Sequence, residues 1–517
     1  GKVDGTFAFY TGAGYLYAAS SKSNHLKTQG TNNANGSWTI TIATDGTAFL
    51  PENGKIRMPF NSLPGLGETA AEKIIEAREK YEPCVDILIE DGKIKKIGKN
   101  LEVAEGEEVI DAAGKIVMPG LVNTHVHTSQ QLGRGLGDDV NLLTWLHERI
   151  WPYESNMTEE DSYVSTLACC LEQIKCGCTS IAEPGGQHVA GMVRGVAQAG
   201  IRAKLAKSTM DCGEGLPKVW QKTTQEELDK QEDDLKKFHN THDGRVKVWF
   251  GLRTIFNNTD DLIVRTKELA DKYDVGVHMH VAEIKDEVEF VRETRGKTTV
   301  AHLNDLGVLD KNFLAVHTVW MTNEEVEMFR DHQVKVSHNP AAAMRVLGFA
   351  KVPRMLREGI CVTIGTDGAP SNNRMDMVDE MYLTSLIHKG WRLEPDVVKA
   401  QEIIRMATIN GAKALMDEDL YGSLEVGKKA DLIIINPNSA GMLPLHDKIA
   451  NVVTSMHSSN VESTMCDGKW LMKDRIVLSL NEEEVLAAAK EHAAAIRSRA
   501  GIVLPDRFPT VYPMSAR

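Results

Sequence analysis

Between about residue 120 and residue 420 the chain alternates short β-branched runs with longer amphipathic stretches. The short runs are LVNTHVH, CTSIAEP, IRAKLAKS, VKVWFGLRT, VGVHMHVAE, FLAVHTV, VKVSHNP and VTIGTDGA. The stretches between them, such as TDDLIVRTKELADKY and TNEEVEMFRDH, place apolar residues at i, i+3 and i+4, which predicts helices. Parallel strands cannot be joined by tight turns and need a crossover helix. Eight such units in about three hundred residues therefore predict an α/β chain whose residues 119–420 form a (β/α)8 TIM barrel.

The flanks are different. CVDILIEDGKIKKIG and EEVIDAAGKIVMPG precede the barrel, and GSLEVGKKADLIIINPN and VESTMCDGKWLMKDRIV follow it. Alternating strands with DG-type turns on both sides predict one small composite β-sandwich, made of residues 83–118 and 421–480. NEEEVLAAAKEHAAAIRSRAG then predicts a capped helix ending at Gly501, within a C-terminal segment of residues 481–517. Residues 1–82 form an arm rich in Gly, Asn, Ser and Thr, at most a small β-meander. Within it LPGLGETAAEKIIEAREKY matches a helix-hairpin-helix pattern, whose Gly-x-Gly turn lets backbone N–H groups approach a phosphate.

A net charge of −13 argues against that use, because a nucleic-acid binder needs a basic face. No run approaches the length of a membrane span, and the start lacks a basic region followed by an apolar one. Cys169, Cys170, Cys176 and Cys178 crowd together in CCLEQIKCGC, a poor disulfide framework that suits buried thiols in a reducing cytoplasm. The expectation is a cytoplasmic homo-oligomer, with no membrane or nucleic-acid partner.

In such barrels the polar residues at the C-terminal ends of the strands carry the chemistry. Here those ends read HVH, HMHVAE, VHT, SHN and TDG. His125 and His127 are two positions apart, so in an extended strand both imidazoles face one point. His278, His280 and Glu283 end the fifth run, His317 the sixth and Asp367 the eighth, with His338 after the seventh. Three imidazoles and a carboxylate around a divalent ion leave room for a water whose pKa the ion lowers.

Taken in order, PGLVNTHVH, HMHVAE, VHTVW, SHNPAAAMRVLGFA, GTDGAPSNNRMDM and GSLEVGKKADLII resemble the amidohydrolase superfamily. Within it the chain is similar to the branch of 5-methylthioadenosine/S-adenosylhomocysteine deaminases and triazine hydrolases, from about residue 84 to the C-terminus. The resemblance implies metal ligation by His125, His127, His280 and Asp367. It implies proton transfer by Glu283, with His317 and Asp367 orienting the nucleophilic water. The bridging lysine of binuclear members is missing from the end of the fourth run, VWFGLRT, so one divalent ion is expected. Zinc suits this donor set, and iron fits the same ligands.

The implied reaction is hydrolytic deamination of a small nitrogen heterocycle, a 5′-substituted adenosine foremost, with ammonia released. An s-triazine (chloro or amino) hydrolase and a guanine-type deaminase are the alternative enzymes. A metal-less barrel scaffold and a DNA-binding module are the non-enzymatic ones. In the methylthioadenosine deaminases a glutamate that falls on Glu154 binds the ribose hydroxyls. Trp145 is a candidate for an apolar wall, and His338 for a substrate contact. Two positions depart from the family: Lys207 stands where an arginine is expected, and Arg253 where a histidine is. Arg253 favours an anionic or carbonyl-rich ligand.

Overall fold

The computed structural model describes residues 85–104 and 106–504, together with short strand segments between Lys2 and Ile56. It divides into two units, Gly1–Val85 and Asp86–Arg517. In the first unit the described segments pair antiparallel, as in Tyr15–Ala18 with Leu26–Gln29 and Ala48–Leu50 with Gly54–Ile56. The LPGLG segment lies outside the described residues.

The second unit is built on parallel strands: β1 (Leu121–Asn123), β2 (Cys178–Gly186), β3 (Arg202–Lys207) and β4 (Val246–Val248, resumed as Phe250–Leu252). They continue as β5 (Val277–Val281), β6 (Phe313–His317), β7 (Lys335–His338) and β8 (Val362–Ile364). Each pairs in parallel with the next, in chain order. Pairing carries across the break in β4, where Trp249 N–H donates to Leu205 O at 2.9 Å and Phe250 N–H to Gly276 O at 3.1 Å. The two edges of the set also meet. Thr124 N–H donates to Ile364 O at 3.1 Å and Asp367 N–H to His125 O at 2.9 Å, which closes the barrel.

Every residue of β5 and β6 is buried, as expected for strands covered by helices outside and by packed side chains inside. The interior beneath the strand ends holds a knot of hydroxyls. Thr124 Oγ1 lies 2.8 Å from Ser337 Oγ and 2.7 Å from Thr363 Oγ1. The helices start where the sequence supplies caps: Thr158 with Asp161, Thr223 with Glu226 and Thr322 with Glu325 form capping boxes. The helix Glu159–Cys176 stops at Gly177, whose φ of 94° turns the chain directly into β2.

Outside the barrel, Ile116–Pro119 pairs antiparallel with Leu432–Ile435, and the sheet continues through Val461–Cys466, Lys469–Lys473 and Ile476–Val477. The hairpin Asp86–Glu90/Lys93–Gly98 turns at Asp91 and Gly92, both with positive φ. Ile94, Leu432, Ile434 and Met465 form a core of their own between these pieces. The last helix, Glu482–Arg499, is capped by Asn481 and ends two residues before Gly501. No helix among the described residues is long and apolar enough to cross a membrane.

Candidate active site

β1 ends at Asn123, so His125 and His127 stand just beyond the paired strand rather than in it. Their rings still meet edge to face, 5.0 Å apart between centroids. His125 is packed so closely on the eighth strand's end that a side chain at Gly365 would sit 2.8 Å from its backbone N, and only glycine fits.

One ring nitrogen each from His125, His280 and His317 lie within 4.8 Å of one another, and so do ligand atoms of His125, His127 and Asp367. Asp367 Oδ1 is 3.3 Å from His125 Nε2 and 3.4 Å from His127 Nε2. Three of the imidazoles are held from behind. His125 Nδ1 is 3.1 Å from His278 Nε2, His127 Nδ1 is 3.5 Å from Glu183 Oε1, and His280 Nδ1 is 2.7 Å from the carbonyl oxygen of Arg253. Engaging Nδ1 turns each Nε2 toward the common centre, the arrangement that readies a histidine as a ligand. Glu183 is itself fixed, accepting from Thr128 Oγ1 at 2.7 Å and from Gly185 N–H at 3.1 Å.

Burial and mutual repulsion hold His280 well below the usual imidazole range, and burial takes His317 down to about 3. Both are therefore neutral, as ligands or acceptors must be. His125 Nε2 and His317 Nδ1 are buried without a hydrogen-bond partner. Neutral imidazoles, a carboxylate and unsatisfied nitrogens at one point fit a divalent cation of borderline softness.

Glu283 lies 3.7 Å from His317 Nε2, through Oε1. Burial, with the Asp367 and Glu287 carboxylates adding, pushes it up to about 8, so it holds a proton at neutral pH. Glu287 keeps the turn beneath it in place by accepting from the N–H groups of Ala282, at 2.8 Å, and Glu283, at 2.9 Å. Ala282, His317, Thr318 and Asp367 all take positive φ, between 50° and 68°. Such strain in residues other than glycine persists only where the surroundings enforce it, and it gathers at functional sites.

These groups floor a cavity of about 470 Å³, walled by Trp145, Leu146, Phe256, Val346 and Leu347 among others. That is room for a small organic molecule with an apolar wall and few polar anchors.

The amidohydrolase family profile matches residues 116–471. The chain is 37% identical over 407 residues to a 5′-deoxyadenosine deaminase of Methanobrevibacter smithii, covering 78% of this chain and 92% of that protein. The chain belongs to the amidohydrolase family. It is also 37% identical over 411 residues to a 5-methylthioadenosine/S-adenosylhomocysteine deaminase of Syntrophomonas wolfei, covering 79% of this chain and 93% of that protein. The fold of a zinc-bound adenosine deaminase from Xanthomonas campestris superposes with a TM-score of 0.76 at 26% identity, over 80% of this chain and 94% of that one.

Of the site residues expected in this amidohydrolase, His125, His127, His280, Glu283, His317 and Asp367 come together. Trp145 and Arg253 line the cavity, whereas Glu154, Lys207 and His338 do not. Glu154 accepts from Gln130 Nε2 at 2.8 Å and stands 3.5 Å from Arg253 Nη1, so the guanidinium takes the place on the wall. Lys207 is buried in an ion pair with Glu227 and also donates to Ser208 O at 3.1 Å. His338 faces His388, 3.2 Å away between Nε2 atoms, rather than the cavity. Sequence reasoning missed Glu183, although it lies at the C-terminal end of β2, where barrel chemistry is placed.

Proposed function

We propose that the chain is a metal-dependent hydrolase acting on the exocyclic C–N bond of cyclic amidines, which removes the amino group of the purine of 5′-substituted adenosines as ammonia. The observation that carries this reading is Glu283, 3.7 Å from His317 Nε2, beside a cluster of imidazoles and Asp367 on the floor of one cavity. The similarity to two adenosine-analogue deaminases at 37% identity supports the choice of substrate.

His125, His127, His280 and Asp367 would hold one divalent cation, zinc by donor type. When bound, it acidifies a water and so makes a nucleophile available near neutral pH. The end of the fourth strand, VWFGLRT, offers no lysine to bridge a second ion. Glu283 delivers its proton to the ring nitrogen beside the amine-bearing carbon, which makes that carbon electron-poor. His317 and Asp367 would align the nucleophilic water; Asp367 takes one of its protons and passes it to the departing amine, and the proton left on the added hydroxyl returns to Glu283 as the carbonyl forms. Trp145 and Phe256 cover the purine and keep bulk water out.

Metal analysis of the purified protein, combined with ammonia release from 5′-deoxyadenosine, 5′-methylthioadenosine, guanine and an aminotriazine, tests this. One ion per chain with the nucleosides preferred is expected. Two tightly held ions, or a triazine or guanine outperforming every nucleoside, would reject the reading.

A further inference from the structure

The cavity's charges restrict what the far end of a nucleoside can carry. With the amine-bearing carbon held between Glu283 and the histidines, the sugar leaves the purine from the opposite edge and points away from the floor. The apolar wall residues left to meet the 5′ substituent are Val140, Leu146, Val346 and Leu347. Among the described wall residues the permanent cations are Arg253 and Arg345. Both are already used. Arg253, only 7% exposed, is 3.5 Å from the Glu154 carboxylate and equally far from Ser208 Oγ. Arg345 ties three loops together, donating through Nη2 to Asp138 Oδ1 and through Nη1 to Ser371 O at 2.6 Å. Lys207, where the family pattern has an arginine, is off the wall and paired with Glu227.

Resting on the adenosine-deaminase reading above, we infer that the site selects nucleosides whose 5′ substituent is uncharged and discriminates against one that ends in an amino-acid carboxylate. Such a carboxylate has two options. It stays unpaired against an apolar wall, or it competes with Asp138 for Arg345 and breaks the contacts by which that arginine ties the loops together. Both options cost binding. A hydrogen or methylthio group at the 5′ position meets the apolar wall and disturbs neither arginine.

The test compares kcat/KM of the metal-loaded, full-length protein for 5′-deoxyadenosine, 5′-methylthioadenosine, S-adenosylhomocysteine and the carboxyl methyl ester of the last. The neutral nucleosides should exceed S-adenosylhomocysteine by about thirtyfold or more, the effect of a charged group without a partner. The ester should recover most of that loss, because it keeps the bulk and removes the negative charge. Val346→Lys, which adds a free ammonium at a half-exposed wall position, should raise kcat/KM for S-adenosylhomocysteine relative to 5′-methylthioadenosine. Comparable turnover of S-adenosylhomocysteine and 5′-methylthioadenosine would overturn the inference and leave the deaminase reading standing. An ester no better than the acid would overturn it too, by making size the cause. Turnover of none of the nucleosides would remove the deaminase reading itself.

Discussion

At the N-terminal end of the barrel Arg202 grips Asp431 with two hydrogen bonds of 3.0 Å, and Lys204 and Lys247 both reach Asp417, at 2.5 and 2.6 Å. At the C-terminal end His125 Nε2 and His317 Nδ1 are buried with no hydrogen-bond partner. Both ends bury charge or polarity in similar depth, but only the first completes it from within the chain. Its partners come from the segment after β8, so those pairs also tie that segment to the strands. Unsatisfied nitrogens at the other end, together with positive φ at His317 and Asp367, mark a place arranged for something the polypeptide does not supply. Burial by itself therefore does not identify a site. Unpaired nitrogens gathered at one point with a carboxylate do.

The contrast can be broken by substitution. His280→Ala should remove the bound metal and abolish turnover while leaving the thermal midpoint of the metal-free protein almost unchanged. A metal-free His280→Ala protein that melts far below metal-free wild type would mean that this end, too, is mainly structural. Asp431→Asn should do the reverse. Removing one partner of a buried pair costs about 3–5 kcal/mol of stability, read from denaturant unfolding, with kcat of the folded fraction retained.

Glu283→Gln should keep its metal and lose roughly a hundredfold or more in kcat, because an amide cannot give up and recover a proton. The same residue sets a pH limb. Its working form is protonated, so activity is full below its pKa and falls as pH rises through a value at or below about 8, since a cation beside Asp367 draws it down. A kcat/KM profile with no alkaline fall would exclude Glu283 as the acid. The smallest effect belongs to Lys247→Ala. Lys247 is only partly buried and shares Asp417 with Lys204, so a loss of about 0.5–1 kcal/mol is expected with activity intact.

Much of this molecule was legible in the chain. Strand runs at regular spacing, helices with their capping residues, and the order HVH, HMHVAE, VHT, TDG fixed both the barrel and the identity of the six clustered residues, because those patterns are local. The reading of HVH as part of a strand was right in direction and wrong in detail. β1 stops at Asn123, and beyond it the backbone divides its pairing, Thr124 and His125 bonding to the eighth strand's end and Val126 to Ala182 of β2. Glu183 stood in plain view in CTSIAEP, yet its role depends on a contact with His127 from the neighbouring strand, and nothing within that run announces it.

The sequence by itself determined the alternation of elements, the chemistry of the strand ends and the resemblance to amidohydrolases, because spacing and side-chain type are properties of neighbours in the chain. Only the tertiary structure decided which candidates reach the cavity. Glu154 is 99 residues from Arg253 in the chain (253 − 154) but 3.5 Å from it in space, and Lys207 finds Glu227 before it can find a ligand. A charged side chain buried by folding takes whichever opposite charge the fold brings near, and that choice is made across strands and loops, not along the chain.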